Sequence, residues 1–143
     1  MKRYNLIVIF NEKMDRVLLC KRRKEPYQGL SNFIGGKIEK GETGQAVAFR
    51  EMEEESGLTG EDVSLFHLMD LTYHLSGFDL EVYAGRCTHD VEVHGEENEL
   101  YWSPLDVDFT DQMHYAGEGS LGHILAHAAL YKPLFFKEIM EVK

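Results

Sequence analysis

Between residues 50 and 55, five of six positions are charged, and four are carboxylates: Glu51, Glu53, Glu54 and Glu55. Like charges at helical spacing repel by roughly 0.2–0.5 kcal/mol per pair. A helix that concentrates them is either an acidic face kept in water or one that collects cations. The flanks define the helix. Thr43 stands where a cap belongs, residues 46–56 have helical composition, and Gly57 occupies the stop position. At about 100° per residue, Ala46, Phe49, Met52 and Ser56 fall on one side, expected to face the core. Glu51, Glu54 and Glu55 fall on roughly the opposite side. Glu53 lies beside the apolar stripe, so three carboxylates converge and the fourth does not.

Gly35-Gly36-Lys37 and Gly41-Glu42 precede this helix and allow backbone to approach the acidic patch closely. Arg50 sits among the acids, placed to pair with Glu54 or Glu42 and orient them. Hard oxygen ligands in this number suit Mg²⁺ or Mn²⁺, which bind carboxylates and substrate phosphates together.

The rest of the chain supplies a scaffold. Residues 4–10 and 17–20 read as strands joined by a polar connector at 11–16. Phe33 and Ile34 lead into Gly35-Gly36, a turn or close-approach point. Residues 63–74 and 78–87 read as two long strands joined by Leu75-Ser76-Gly77, with Leu80, Val82 and Ala84 on one face. Residues 88–99 read as an acidic loop, 99–103 as a short strand, and 120–131 and 134–142 as helices. Strands, a helix, more strands and then helices predict a layered α/β sandwich around a mixed sheet. At 143 residues the chain suits one domain, spanning 1–143, with a sizeable core.

A net charge of −10 argues against a nucleic-acid-binding surface, which needs a basic stripe. A nucleotide substrate stays compatible, because metal ions neutralise phosphates locally. Cys20 and Cys87 sit in apolar runs and read as buried free thiols of a cytoplasmic protein. The apolar run at residues 6–10 is too short for a signal peptide and lacks a cleavage site. No stretch approaches a membrane span.

The pattern G-x₅-E-x₇-R-E-U-x-E-E-x-G-U, with U a bulky aliphatic residue, is met at every specified position. Gly36, Glu42, Arg50, Glu51, Met52, Glu54, Glu55, Gly57 and Leu58 fill it, Met52 being a mild variant. On these residues the chain resembles the Nudix hydrolase family. The resemblance implies a Nudix-type α/β/α sandwich and Mg²⁺- or Mn²⁺-dependent hydrolysis of a nucleoside diphosphate linked to another moiety. It implies that Glu51, Glu54 and Glu55 hold the cations with the Gly35 carbonyl. Arg50, Glu51 and Glu54 are then the catalytic set, with Glu51 the first choice of base. An acid of the 88–99 loop completes such sites, and the candidates are Glu97, then Glu96.

For the substrate, Arg22, Arg23 and Lys37 are the basic residues nearest the box and the expected phosphate contacts. Asn32, three residues before the glycine pair, stands where the oxidised-purine nucleoside triphosphatase branch carries a base-contacting asparagine. Trp102-Ser103-Pro104-Leu105-Asp106 resembles the W-x-x-L-D segment of that branch. Its base-reading aspartates are not reproduced: Ala116 and Gly117 stand near that point, with Asp111 and Glu118 the nearby acids. The proline that marks many ADP-ribose hydrolases about 15 residues past the box is missing. Tyr73 lies roughly where dinucleoside-polyphosphate hydrolases carry a tyrosine. The expectation is a nucleoside triphosphate pyrophosphohydrolase, with the 8-oxo-purine type as its candidate branch, acting as a monomer or homodimer. The alternatives are a dinucleoside polyphosphate hydrolase and a non-catalytic nucleotide-sensing module, although such modules commonly lose box glutamates. His123 and His127 have metal-ligand spacing but no third partner, and read as packed or solvent-facing.

Overall fold

The computed structural model describes residues 1–95 and 97–136. The chain runs β1 (Lys2–Phe10), β2 (Arg16–Lys21), β3 (Ser31–Asn32), β4 (Ile34–Ile38), α1 (Gly44–Ser56), β5 (Phe66–Tyr73), β6 (Phe78–Arg86), β7 (Glu99–Pro104), α2 (Ser120–Leu130) and α3 (Lys132–Phe135). All seven strands join one mixed sheet. β1 is its hub. It runs parallel to β6 from Lys2 to Phe10, antiparallel to β4 from Arg3 to Ile7, and meets Val17 of β2 at Phe10.

Alternation along β1 divides the core into two layers. Ile7 and Ile9 join Leu18, Cys20 and Ile34 against Ala48 and Met52 of α1. Val8 and Phe10 join Val17, Leu19, Val82 and Ala84 against Leu121, Ile124 and Ala128 of α2. One helix therefore covers each face, which makes the expected α/β/α sandwich. Among the described residues no helix is long and apolar enough to cross a membrane.

Residues 63–74 do not form one strand. β5 begins at Phe66, while Val63 makes an isolated bridge to Cys87. A register shift between His67 and Met69 interrupts the β5–β6 ladder. The extra residue reverses parity, so that Phe66 and Leu68 before it and Met69, Leu71 and Tyr73 after it all pack toward the α2-side core. Residues 134–142 were expected to be helical. α3 ends at Phe135, and positions 137–142 lie outside the described residues.

Gly35 and Gly36 lie inside β4 rather than in a turn. The close approach, however, is real. A Cβ at Gly35 would overlap the backbone carbonyl oxygen of Asn5, and one at Gly36 would stand 2.6 Å from the Glu51 carboxyl carbon. The first clash is with backbone that cannot swing aside; the second is with the end of a side chain. Gly35→Ala should therefore cost about 1–3 kcal/mol in urea unfolding, with Gly36→Ala costing clearly less. Equal losses would show that the β1–β4 contact is not what requires glycine at 35.

Candidate active site

Helix α1 carries the acidic run to the sheet. Its N-cap is Thr43, whose side chain accepts from the Ala46 N–H, and it ends at Gly57 in a left-handed conformation with its N–H on the Glu53 carbonyl. Such a cap is worth about 1 kcal/mol. The buried positions are Gly44, Val47, Ala48, Met52 and Ser56. This corrects the helical wheel: Ala46 is exposed and Phe49 only half-buried. The small residues Gly44 and Ala48 let the helix lie close to the sheet, and the core-facing sector turns toward them. Glu51 and Glu55 consequently flank the core and are half-buried, whereas Glu53 and Glu54 stay exposed. The carboxylates lie beside the core, not opposite to it.

That placement sets the electrostatics. The Glu55 carboxylate accepts the Gly35 N–H at 3.1 Å. Burial first, then Glu51 and Glu97, push its pKa up to about 8. Burial, and then Glu54, raise Glu51 as well. Glu51 is the second cause of the Glu55 shift, so the two carboxyl groups influence each other's protonation. Arg50 donates to Glu42 at 2.6 Å and stands 4.0 Å from both Glu51 and Glu54. Glu42 in turn accepts the Glu39 N–H, and these bonds hold its carboxylate below the usual range. Arg50 therefore ties the loop before α1 to the acidic face.

A cavity of about 540 Å³ opens on this face, lined by Arg22, Lys24, Gly35, Glu51, Glu54, Glu55, Glu97 and Asn98 over a floor of Cys20, Ile34 and Leu100. Six expected site residues thus meet here: Arg22, Gly35, Glu51, Glu54, Glu55 and Glu97. Arg50 braces them from behind. Arg23, Asn32 and Lys37 do not line the cavity. Lys37 lies 3.5 Å from Glu39. The Arg23 backbone N–H donates to the Asn98 side chain at 3.2 Å, which ties the loop after β2 to the loop before β7. Asn32 accepts its own neighbour's N–H, that of Phe33, at 2.8 Å. Glu96 lies outside the described residues.

Lys24 and Asn98 were not singled out from the sequence. Lys24 belongs to the basic run 21–24, and only the loop geometry shows which of those side chains turn inward. The acids near residues 111–118 are already engaged: Asp111 pairs with His114 at 2.7 Å, and Glu118 accepts from Tyr27 at 3.0 Å. Trp102 packs on the α1-side core. Tyr73 stacks on Phe78 with ring centroids 4.6 Å apart. His123 is exposed and His127 half-buried. Cys20 and Cys87 are free and buried, as expected.

Among the described residues no three acidic, imidazole or thiol side chains already converge as a closed metal cage. The donor chemistry nevertheless fits a hard divalent cation. Glu51 and Glu55 are half-buried and both shifted up, so a cation would offset their charge, and Mg²⁺ completes its shell with water and phosphate oxygens instead of protein alone.

A helix of glutamates lies against a glycine-bearing strand, and Arg22 and Lys24 line the same polar cavity. Residues 2–115 match the family model of the NUDIX domain, and the chain belongs to the Nudix family. It is a hydrolase acting on phosphoanhydride bonds. The chain is similar to the mouse oxidized purine nucleoside triphosphate hydrolase, 29% identical over 113 residues that cover 76% of this chain and 70% of that protein. Among solved structures it superposes on a Caenorhabditis elegans Ap4A hydrolase with a TM-score of 0.74, at 19% identity over 94% of this chain and all of that one. A MutT structure from work on Aliivibrio salmonicida and Vibrio cholerae gives 0.70, at 21% identity over 90% of this chain and 98% of that one.

The Glu55 shift has a stability consequence whose sign is fixed. Its folded-state pKa is raised, so the folded protein binds this proton more tightly than the unfolded chain. The resulting stability is fully present below the ordinary value of 4.5 and is lost as pH rises toward about 8. In the presence of chelator, the thermal midpoint should fall between about pH 5 and pH 8, and Glu55→Gln should remove most of that fall. An undiminished slope in the variant would place the proton elsewhere.

Proposed function

We propose that this chain is a Mg²⁺- or Mn²⁺-dependent pyrophosphohydrolase that cleaves a nucleoside triphosphate to the monophosphate and pyrophosphate, with an oxidised purine as the candidate base. The carrying observation is the shared cavity: Glu51, Glu54, Glu55 and Glu97 line it together with Arg22 and Lys24. Four carboxylates would repel a polyphosphate, so this arrangement favours one only together with divalent cations.

In this reading Glu51, Glu54, Glu55, Glu97 and the Gly35 carbonyl hold the cation. When bound, it offsets phosphate charge and acidifies the attacking water. Glu51 accepts the proton of that water as a new P–O bond forms and the P–O bond to the leaving phosphate oxygen breaks. Arg22 and Lys24 bind phosphate oxygens. Arg50 keeps Glu51 and Glu54 in place through its bond to Glu42. Arg23 and Lys37 remain phosphate contacts only if the substrate extends beyond the cavity.

The oxidised-purine reading draws on Asn32, whose amide NH₂ is left to donate once its oxygen accepts from Phe33. The mouse relative named for that activity supports it. The engaged state of Asp111 and Glu118 means that base selection here does not reuse a pair of unpartnered aspartates. A second reading, hydrolysis of a dinucleoside polyphosphate, draws on the position of Tyr73 alone, since its ring stacks on Phe78 and packs on the α2-side core.

A substrate panel resolved by chromatography separates these readings. It should contain oxidised and ordinary purine triphosphates, ADP-ribose and diadenosine tetraphosphate. An oxidised purine triphosphate should be preferred by at least tenfold in kcat/KM, and pyrophosphate should be a product. Comparable rates on every compound would rule out base selection. Glu54→Gln with Glu55→Gln should lower kcat/KM by more than about 100-fold, beyond the usual effect of a second-sphere change. Unchanged Mg²⁺-dependent turnover in that variant would refute the cation assignment.

A further inference from the structure

Asn5 breaks the pattern of its strand. On β1 the side chains directed at α1 include Ile7 and Ile9, both fully buried and apolar. Asn5 belongs to the same alternation and is only 2% exposed. Its Oδ1 accepts the Gly36 N–H at 2.8 Å. Its Nδ2 is buried without a partner among the described residues. An unsatisfied buried donor costs about 1–3 kcal/mol. Packing alone does not account for an asparagine here, since an aliphatic residue would fill the space and leave the Gly36 N–H without this acceptor.

Position does. Asn5 is the register partner of Gly36 across the β1–β4 ladder. Its own carbonyl oxygen is what a side chain at Gly35 would strike. The Glu51 carboxyl group stands against Gly36, 2.6 Å from where a Cβ would be. Gly36 is thus contacted by the Asn5 amide within the sheet and by the Glu51 carboxyl group from the helix. The Gly35 N–H, one peptide away, holds Glu55. A shift of the Gly35–Gly36 backbone would move contacts of both carboxyl groups at once.

We propose that Asn5 is a positioning residue of the cation site, fixing the Gly35–Gly36 backbone through the Gly36 N–H so that Glu51 and Glu55 converge. This rests on the reading of the α1 carboxylates as cation ligands. Second-sphere groups of this kind typically contribute about 10–100-fold in metal affinity.

The probe is Mn²⁺ alone, followed by the electron-spin-resonance signal of the free ion, with thermal midpoints measured in parallel. Asn5→Leu keeps the volume and removes the acceptor. It should weaken Mn²⁺ binding by about tenfold or more. Asn5→Asp keeps an acceptor oxygen for Gly36 and should bind within about threefold of wild type or more tightly. Should Asn5→Leu not fold, Asn5→Ser, too short to reach Gly36, is read in its place with the same expectation. Wild-type affinity in the acceptor-free variant, or equal weakening in Asn5→Asp, would overturn the proposal. Glu55→Gln serves as the reference: if it binds Mn²⁺ as wild type does, the cation reading itself falls, and this inference with it. If Glu55→Gln loses binding while Asn5→Leu keeps it, only the positioning role falls.

Discussion

The contact between α1 and β4 at Gly36 is the constraint on which the site depends. Without a side chain at 36, the Glu51 carboxyl group can rest directly over the strand backbone. Because Glu51 is drawn in, Glu55, one turn later, is drawn in too and takes the Gly35 N–H. Two carboxyl groups half-withdrawn from water then lie near each other, and burial first, with their mutual repulsion, raises the pKa of Glu55. Ala48, Met52 and Ser56 on the adjacent sector supply the packing that keeps the helix from rolling the acids back into solvent.

Much of this was legible because the Nudix box fixes spacing, and spacing on a helix fixes direction. The box foretold that Glu53 stands apart, and it does. The strands were legible from β-branched runs, and the parity of Leu80, Val82 and Ala84 placed them together on the α2 side. What the wheel misjudged was orientation. Hydrophobicity assigned Ala46 and Phe49 to the core, while the actual buried sector follows small residues that allow close approach, a preference that no hydropathy pattern encodes. The bulge in β5 was hidden for a similar reason. A register shift is a property of two strands, and the residues 66–73 alone read as an ordinary run.

The substrate side was less legible because it is built from loops whose side-chain directions depend on tertiary bonds. In the run 21–24, Arg22 and Lys24 turn into the cavity, while Arg23 contributes its backbone to Asn98. The Arg22 guanidinium is itself held by the Pro26 carbonyl at 2.6 Å. Asn32 stands at a ligand-facing position in sequence, yet its side-chain oxygen accepts from the adjacent backbone. None of these choices follows from residue type.

This division of labour has a structural basis. The acidic helix is fixed by core packing on one side and by the β4 backbone on the other, so its geometry cannot drift without unfolding part of the sandwich. The loop side is held by a handful of loop contacts: Asn98 to Arg23, Ser31 to the backbone of His114 and Ala116, and Tyr27 to Glu118. Ser31 also meets the Tyr101 hydroxyl. The helix side is thus fixed by packing into the core, and the loop side by single hydrogen bonds.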